Sequence, residues 1–328
     1  MKEFRTELTP SVSASPIGLN DSIFTIGSCF ADAIGDRLAE NKFSVRSNPF
    51  GTVYNPLSIH RLLLLALENK LPAPESYLQN EEVHVNYNFH SSFSSLNKEE
   101  LENKIQTSLI ESNDFFKNTN RIIITYGTAF VYRLKRNNEI VTNCHKVPSA
   151  NFAKSLLTES EIVESFQNFY SKLKSINQKC KIILTVSPVR HLKDTLELNA
   201  VSKSILRLSC HSMVSQFSDV DYFPAYEILL DDLRDYRFYK IDRLHPTDEA
   251  VGYIWEKFIA AYFDEPLKKF INEWKEVRKD LQHKPFHSQS ENHQKFLKST
   301  LNRLESLNTT IDFSNEIQTL KSKISSTQ

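Results

Sequence analysis

Ser22-Ile23-Phe24-Thr25-Ile26-Gly27-Ser28-Cys29-Phe30-Ala31 is a short apolar run that ends on Gly-Ser and opens into an amphipathic stretch. It reads as a buried strand feeding a helix. Four further runs share its character: Phe43–Arg46, Arg121–Thr125, Lys181–Val186 and Asp219–Phe223. Between them the spacing predicts helices over Cys29–Asn41, Leu57–Asn69, Lys98–Lys117, Glu159–Gln178 and Asp194–Ser215. Strands alternating with helices predict an α/β/α sandwich around a parallel five-stranded sheet, wound in the order 2-1-3-4-5.

Two insertions interrupt the alternation. Residues 70–97 hold the alternating stretch Val83–Phe89, expected to form a hairpin arm or lid edge. Residues 130–142 predict a hairpin of Val131–Leu134 and Glu139–Thr142, turned at Arg136-Asn137-Asn138. A last helix is expected from Thr247 to about Phe263. From Pro266 the composition becomes Lys-, Glu-, Asn- and Gln-rich, with Leu297, Leu301, Leu304 and Leu307 at helical spacing. The chain therefore divides into an α/β domain, 1–265, and a helical C-terminal extension, 266–328. The extension is expected to pack on the domain or on a partner, a second copy of the chain included.

Composition narrows the function. The 328 residues carry 40 basic and 40 acidic side chains and no formal net charge, which argues against a nucleic-acid binder. With only 6 Gly and neither a GxGxxG nor a GxxxxGK[ST] pattern, the common phosphate-binding loops are missing and no cofactor is indicated. The 4 Cys form no CxxC pair, which points to free thiols in a reducing compartment. No apolar run approaches membrane-spanning length. The expectation is a soluble, cytoplasmic chain with no membrane partner. His283, His287 and His293 lack a metal-ligand pattern, so no metal is expected.

Two stretches can carry chemistry. Ser28 follows the first strand and opens a helix, where free amides favour developing negative charge. On this stretch alone it reads first as a helix N-cap and second as a nucleophile awaiting a base. Cys29 is its rival as a thiolate at a helix start. The first residue of a helix packed on a sheet is expected to point away from the ligand edge, which favours Ser28. The second stretch, Asp242-Arg243-Leu244-His245-Pro246, sits on the loop before the last helix. Asp242 can hold His245 Nδ1–H and so aim the other nitrogen at a nucleophile, and the helix start favours the neutral ring. In the predicted sheet both stretches fall on the carboxyl edge.

Gly27-Ser28-Cys29-Phe30-Ala31 spells the motif of the GSCFA family, a branch resembling the SGNH (GDSL-like) hydrolases. The likeness continues through Asn48–Asn55, Thr125–Ala129, Asn143–Lys146, Val186–His191, Tyr222–Glu227, Asp235–Tyr239 and Asp242–Pro246, and covers roughly residues 1–263. It implies a flavodoxin-like fold and a serine esterase site without cofactor. Ser28 matches the nucleophile and, by its own amide, an oxyanion donor. Gly51 matches a second donor, Gly127 the third-block glycine, and Asp242 and His245 the rest of the triad.

The third block of that superfamily usually supplies an Asn donor, and this chain has Ala129 there. Asn143, Thr128 or His145 is the expected replacement, Asn143 foremost because an amide N–H₂ always donates. Arg190 and His191 follow the fourth strand and either bind an anionic or sugar-like substrate or serve structure, Arg190 as an ion-pair partner of Asp242 or Glu227. His90, in the first insertion, either lines the pocket or is a surface or packing residue, the latter being expected. The function so implied is hydrolysis of a small-molecule or carbohydrate ester, with acyl transfer through the same residues, or an inactive binding fold, as alternatives.

Overall fold

A computed structural model of the chain describes residues 6–287, 289–307 and 311–325. The central sheet consists of β1 (Ser22–Gly27), β2 (Ser44–Ser47), β3 (Arg121–Tyr126), β4 (Lys181–Val186) and β5 (Val220–Phe223), all parallel. Their spatial order is β5-β4-β3-β1-β2, the predicted 2-1-3-4-5 winding of a flavodoxin-like sheet.

Alternation along each strand makes two cores. Phe24, Ile26, Ile122, Ile124, Tyr126, Ile182, Leu184 and Val186 face one cluster, while Ile23, Ile123 and Ile183 face the other. The helices α1 (Cys29–Glu40), α2 (Pro56–Glu68), α3 (Lys98–Phe116), α4 (Glu159–Ile176) and α5 (Thr195–Gln216) divide between them. The first cluster is covered by α2 to α5 and the second by α1 and α6 (Asp248–Tyr262).

The register aligns the strand ends. Gly27 pairs with Thr125 and Thr125 with Thr185, which in turn pairs with Phe223. The segments leaving β1, β3, β4 and β5 therefore emerge along one edge. Gly27 is required there: its φ is 141°, and a Cβ would stand 2.1 Å from the Thr125 carbonyl oxygen.

Both insertions form small sheets. Tyr77–Asn80, Val83–Asn86 and Ser94–Ser95 make one. In the other, Phe130–Leu134 pairs with Ile140–Val141 as predicted, and also with Phe152–Leu156. That third strand is absent from the prediction because its Ala-Lys-Ser centre carries little apolar signal.

The extension forms α7 (Glu265–Gln282), α8 (Glu291–Ser306) and α9 (Ser314–Ser325). Leu267, Phe270, Trp274, Leu297, Leu304, Leu307 and Leu320 join the second core beside Leu38 and Phe43 of the α/β region. The change in composition at Pro266 is thus no boundary between cores. Lys and Glu cover the outer face, while apolar residues at helical spacing reach inward.

Candidate active site

Asp242 and His245 form the dyad the sequence predicts. Asp242 Oδ2 stands 2.7 Å from His245 Nδ1. Its Oδ1 accepts the amides of Leu244 (2.8 Å) and His245 (3.0 Å), which hold the carboxyl down to about 2, with the His245 ring helping. An acceptor so fully ionised places the imidazole hydrogen on Nδ1 and leaves Nε2 free for a partner. The loop owes its turn to Arg243, at φ 61°. It closes through Lys240 N–H to His245 O (2.7 Å) and is tied to the chain after β4 by Arg190 N–H to Leu244 O (3.2 Å).

Ser28 makes no hydrogen bond with this dyad among the described residues. It is 0% exposed, and its Oγ accepts the Phe30 amide at 3.3 Å as the N-cap of α1. Its amide donates to Thr125 O (3.1 Å) and so is spent on the sheet rather than on an oxyanion. The residue that shares a cavity with His245 is Cys29, half-buried at the first position of α1. The cavity is about 530 Å³ and is lined also by Ala33, Arg37, Val189 and Lys240. The first helical residue, expected to turn from the ligand edge, lines this cavity, while the buried Ser28 hydroxyl caps the helix.

Burial first, and then the charge of Asp32, push the Cys29 thiol up from 9.0; its own amide, Lys203 and the Phe30 amide oppose them. The resting group is therefore a thiol that needs a base. Asp32 is itself pushed up by burial and is held by Asn48 Nδ2 (2.7 Å). Asn48 Oδ1 in turn accepts the Gly27 amide (2.8 Å), so the turn after β2 braces the Gly-Ser-Cys corner.

Several of the groups expected at an oxyanion make hydrogen bonds within the fold. The Gly51 amide donates to Asn48 O (2.8 Å), and the residue, at φ 76°, packs against His90. Gly51 is thus a turn glycine in this structure, and its N–H is not free for an oxyanion. Gly127 donates to Tyr54 O (2.7 Å). Thr128 Oγ1 bonds Ser202 Oγ (3.0 Å) and accepts from Phe130 N–H (3.1 Å). Asn143 Oδ1 accepts the His145 amide (2.8 Å), and buried His145 bonds Asn86 O through Nε2 (2.8 Å), which fixes the two insertions to each other. Ala129 is buried in the first core. His90 Nδ1 and Ser92 Oγ are hydrogen-bonded at 3.1 Å within one turn.

Arg190 pairs with neither Asp242 nor Glu227. Its guanidinium lies 4.0 Å above Tyr239, and Glu227 pairs with Arg207 at 2.7 Å. The His191 ring meets Tyr54 edge-on at 5.4 Å, and its buried Nε2 has no hydrogen-bond partner among the described residues. Burial, with the charges of Lys203 and His245, pulls it down to about 4.

Sequence reasoning missed Lys203 and Tyr54. Lys203 is fully buried, with Nζ donating to Gly127 O (2.8 Å) and Ser187 O (2.7 Å). Burial brings it down to about 7. The available signal was its phase: Asn199, Ser202, Lys203, Leu206 and Cys210 share the inward face of α5. Tyr54 is 38% exposed and close enough to Cys29 and Asp32 for their charges to raise its phenol, after burial. It had no such signal.

Cys29, His245 and Asp242 lie outside the carboxyl ends of the strands, where doubly wound α/β folds place their ligand sites. The chain belongs to the GSCFA family: residues 22–258 match the GSCFA family, and residues 274–326 match the GSCFA domain protein, C-terminal domain. It is similar to a solved carbohydrate esterase family 3 structure from Talaromyces cellulolyticus, at 8% identity and TM-score 0.33, over 77% of this chain and 99% of that one. A Clostridium thermocellum family 3 carbohydrate esterase is similar at 9% identity and TM-score 0.34, over 77% and 99%. No curated protein matches the chain. Among the described residues no helix is long and apolar enough to cross a membrane.

Proposed function

We propose that this protein is an acyl hydrolase that cleaves a carboxylic ester through Cys29, with His245 as base and Asp242 as its orienting acceptor. The observation that carries the reading is the cavity that Cys29 and His245 line together, with the imidazole fixed by a 2.7 Å bond to Asp242. His245 Nε2 takes the Sγ proton as Sγ attacks the carbonyl carbon. The oxyanion gathers at the start of α1, where the Cys29 amide already turns toward its own sulfur. The C–O bond then breaks, and the alcohol leaves with the proton held by His245. Water, deprotonated by the same imidazole, attacks the thioester carbonyl; the C–S bond breaks, the carboxylic acid leaves, and the imidazole returns its proton to the sulfur.

A carbohydrate O-acyl ester suits the site, because the exposed ring of Tyr54 lies beside Cys29 and offers an apolar face for a sugar. An acceptor hydroxyl in place of water would make the same chemistry acyl transfer. The experiment is turnover of a 4-nitrophenyl acyl ester by the wild-type chain, Cys29→Ala and Ser28→Ala. The reading requires loss with Cys29→Ala alone; equal rates for wild type and Cys29→Ala reject it.

A second reading, an inert binding fold, is favoured by one observation: the Ser28 and Gly51 amides expected to receive an oxyanion are both engaged in the backbone. Under that reading a thiol-directed acylating probe leaves no adduct at Cys29 that depends on His245.

A further inference from the structure

A second cavity, of about 590 Å³, lies between α1, α6 and α7. It shares Arg37 and Glu40 with the cavity at Cys29. The link is one face of α1. Cys29, Ala33, Arg37 and Glu40 follow each other at steps of four, four and three residues, and so form one stripe, with Asp36 beside it. At 1.5 Å per residue the stripe spans about 16 Å. It runs from the sulfur to the far cavity and floors both.

The far cavity has a marked charge imbalance. Five cationic side chains line it, Arg37, Lys268, Lys275, Arg278 and Lys279, against Glu40 and Glu256. Three of the five have carboxylate partners: Lys268 with Glu265, Arg278 with Glu40 and Lys279 with Glu276, at 2.9, 2.8 and 2.9 Å. Arg37 and Lys275 have no ion pair among the described residues. Ile259, Ala260 and Ile271 give the cavity an apolar lining between these heads. Only one wall, α7, comes from the extension, and it supplies four of the five cations.

We propose that this cationic cavity is a substrate subsite that binds an anionic group, a carboxylate or phosphate, carried at the far end of an elongated acyl ester whose carbonyl sits at Cys29. This deepens the acyl-hydrolase reading and rests on it for the position of the carbonyl. The helical extension then selects substrates: it brings positive charge to a chain whose net charge is zero. Arg37, common to both cavities, stands where the two parts of the substrate join.

The test compares the 4-nitrophenyl half-ester of dodecanedioic acid, which ends in a carboxylate, with 4-nitrophenyl dodecanoate, which ends in a methyl group. The wild-type chain should prefer the half-ester by about tenfold in kcat/KM, and about 0.5 M salt should erase most of that preference. In Lys275→Glu/Lys279→Glu the preference should vanish or reverse. Lys295→Glu, an exposed lysine on α8, should keep it. Equal kcat/KM for the two esters in the wild-type chain, or an unchanged ratio in the double variant, overturns the subsite.

Calorimetric titration with free dodecanedioate and with decyl phosphate separates this proposal from the hydrolase reading, since binding needs no turnover. Binding of either ligand that is lost in the double variant supports the subsite even if no ester is cleaved, and the better ligand tells carboxylate from phosphate. Absence of binding by both overturns it even if nitrophenyl esters are hydrolysed.

Discussion

The Asp242 carboxylate accepts three hydrogen bonds from two residues beside it: the Leu244 and His245 amides on one oxygen, and the His245 ring on the other, at 2.8, 3.0 and 2.7 Å. The same group that shapes the loop therefore orients the imidazole. Asp242→Asn keeps an acceptor for the amides but presents an N–H₂ or a neutral oxygen to Nδ1. Its kcat/KM for a nitrophenyl ester should fall by about 10³- to 10⁴-fold, with little loss of thermal stability. A fall below tenfold would remove Asp242 from the mechanism.

The acid limit of the dyad follows from the same bonds. Asp242 titrates near 2 in the folded chain, below its ordinary 3.8. Its contribution to the loop is thus complete above about 3.8 and is lost as pH falls through about 2. The His245 amide should stay protected from hydrogen exchange at pH 4, and in Asp242→Ala it should exchange faster at that pH.

Cys29 and Ser28 should separate cleanly. Ser28→Ala removes an N-cap and should lower stability by about 1 kcal/mol while most turnover remains. Cys29→Ala should lose turnover without loss of stability. Because burial and Asp32 raise the thiol above 9.0, iodoacetamide should alkylate Cys29 slowly at pH 7 and faster as pH rises past that value. Fast alkylation at pH 6 would mean a preformed thiolate and a different role for His245.

Lys203 should make stability rise with alkalinity. Its folded value, about 7, lies below its ordinary 10.5, so between these limits the unfolded chain binds more protons than the folded one. Stability from this group therefore increases with pH across that window. Lys203→Met should flatten the increase in urea midpoint between pH 7 and pH 9. It should also cost about 1–3 kcal/mol by leaving the Gly127 and Ser187 carbonyls unpaired. An undiminished slope would assign the pH effect elsewhere.

His60 gives the opposite limit. It is fully buried between Ser165 Oγ (3.0 Å) and Tyr126 OH (2.7 Å), and burial holds it down to about 3 from 6.5. The unfolded chain alone takes up this proton between those values, so stability should fall as pH drops from 6.5 towards 3. His60→Gln, compared with the wild-type chain across that range by thermal melting, should show a weaker acid dependence.

Much of the site was legible from residue types. Asp242 and His245 lie three residues apart on a loop before a helix, and proximity that local needs no tertiary information. The choice between Ser28 and Cys29 was not legible, because neighbouring residues at a helix start differ by about 100° in direction. Ser28 caps the helix from a buried position, and Cys29 lines the cavity. Gly51 and Thr128 sit in plausible blocks, yet the Gly51 amide is taken by Asn48 O and the Thr128 hydroxyl bonds that of Ser202, partners 3 and 74 residues away. Lys203 hid because a lysine in a helix ordinarily faces water.

What the sequence by itself determined is the architecture: local periodicity dictates which faces must be buried, and five apolar strands alternating with amphipathic helices leave few ways to bury them. It also determined the dyad, through contacts within one short loop. The tertiary structure alone decided which side chain of the Gly-Ser-Cys corner faces the cavity, which amides the backbone consumes, and that the polar extension shares the domain's second core. Those outcomes depend on distances between segments far apart in the chain, and such distances exist only once the layers have packed.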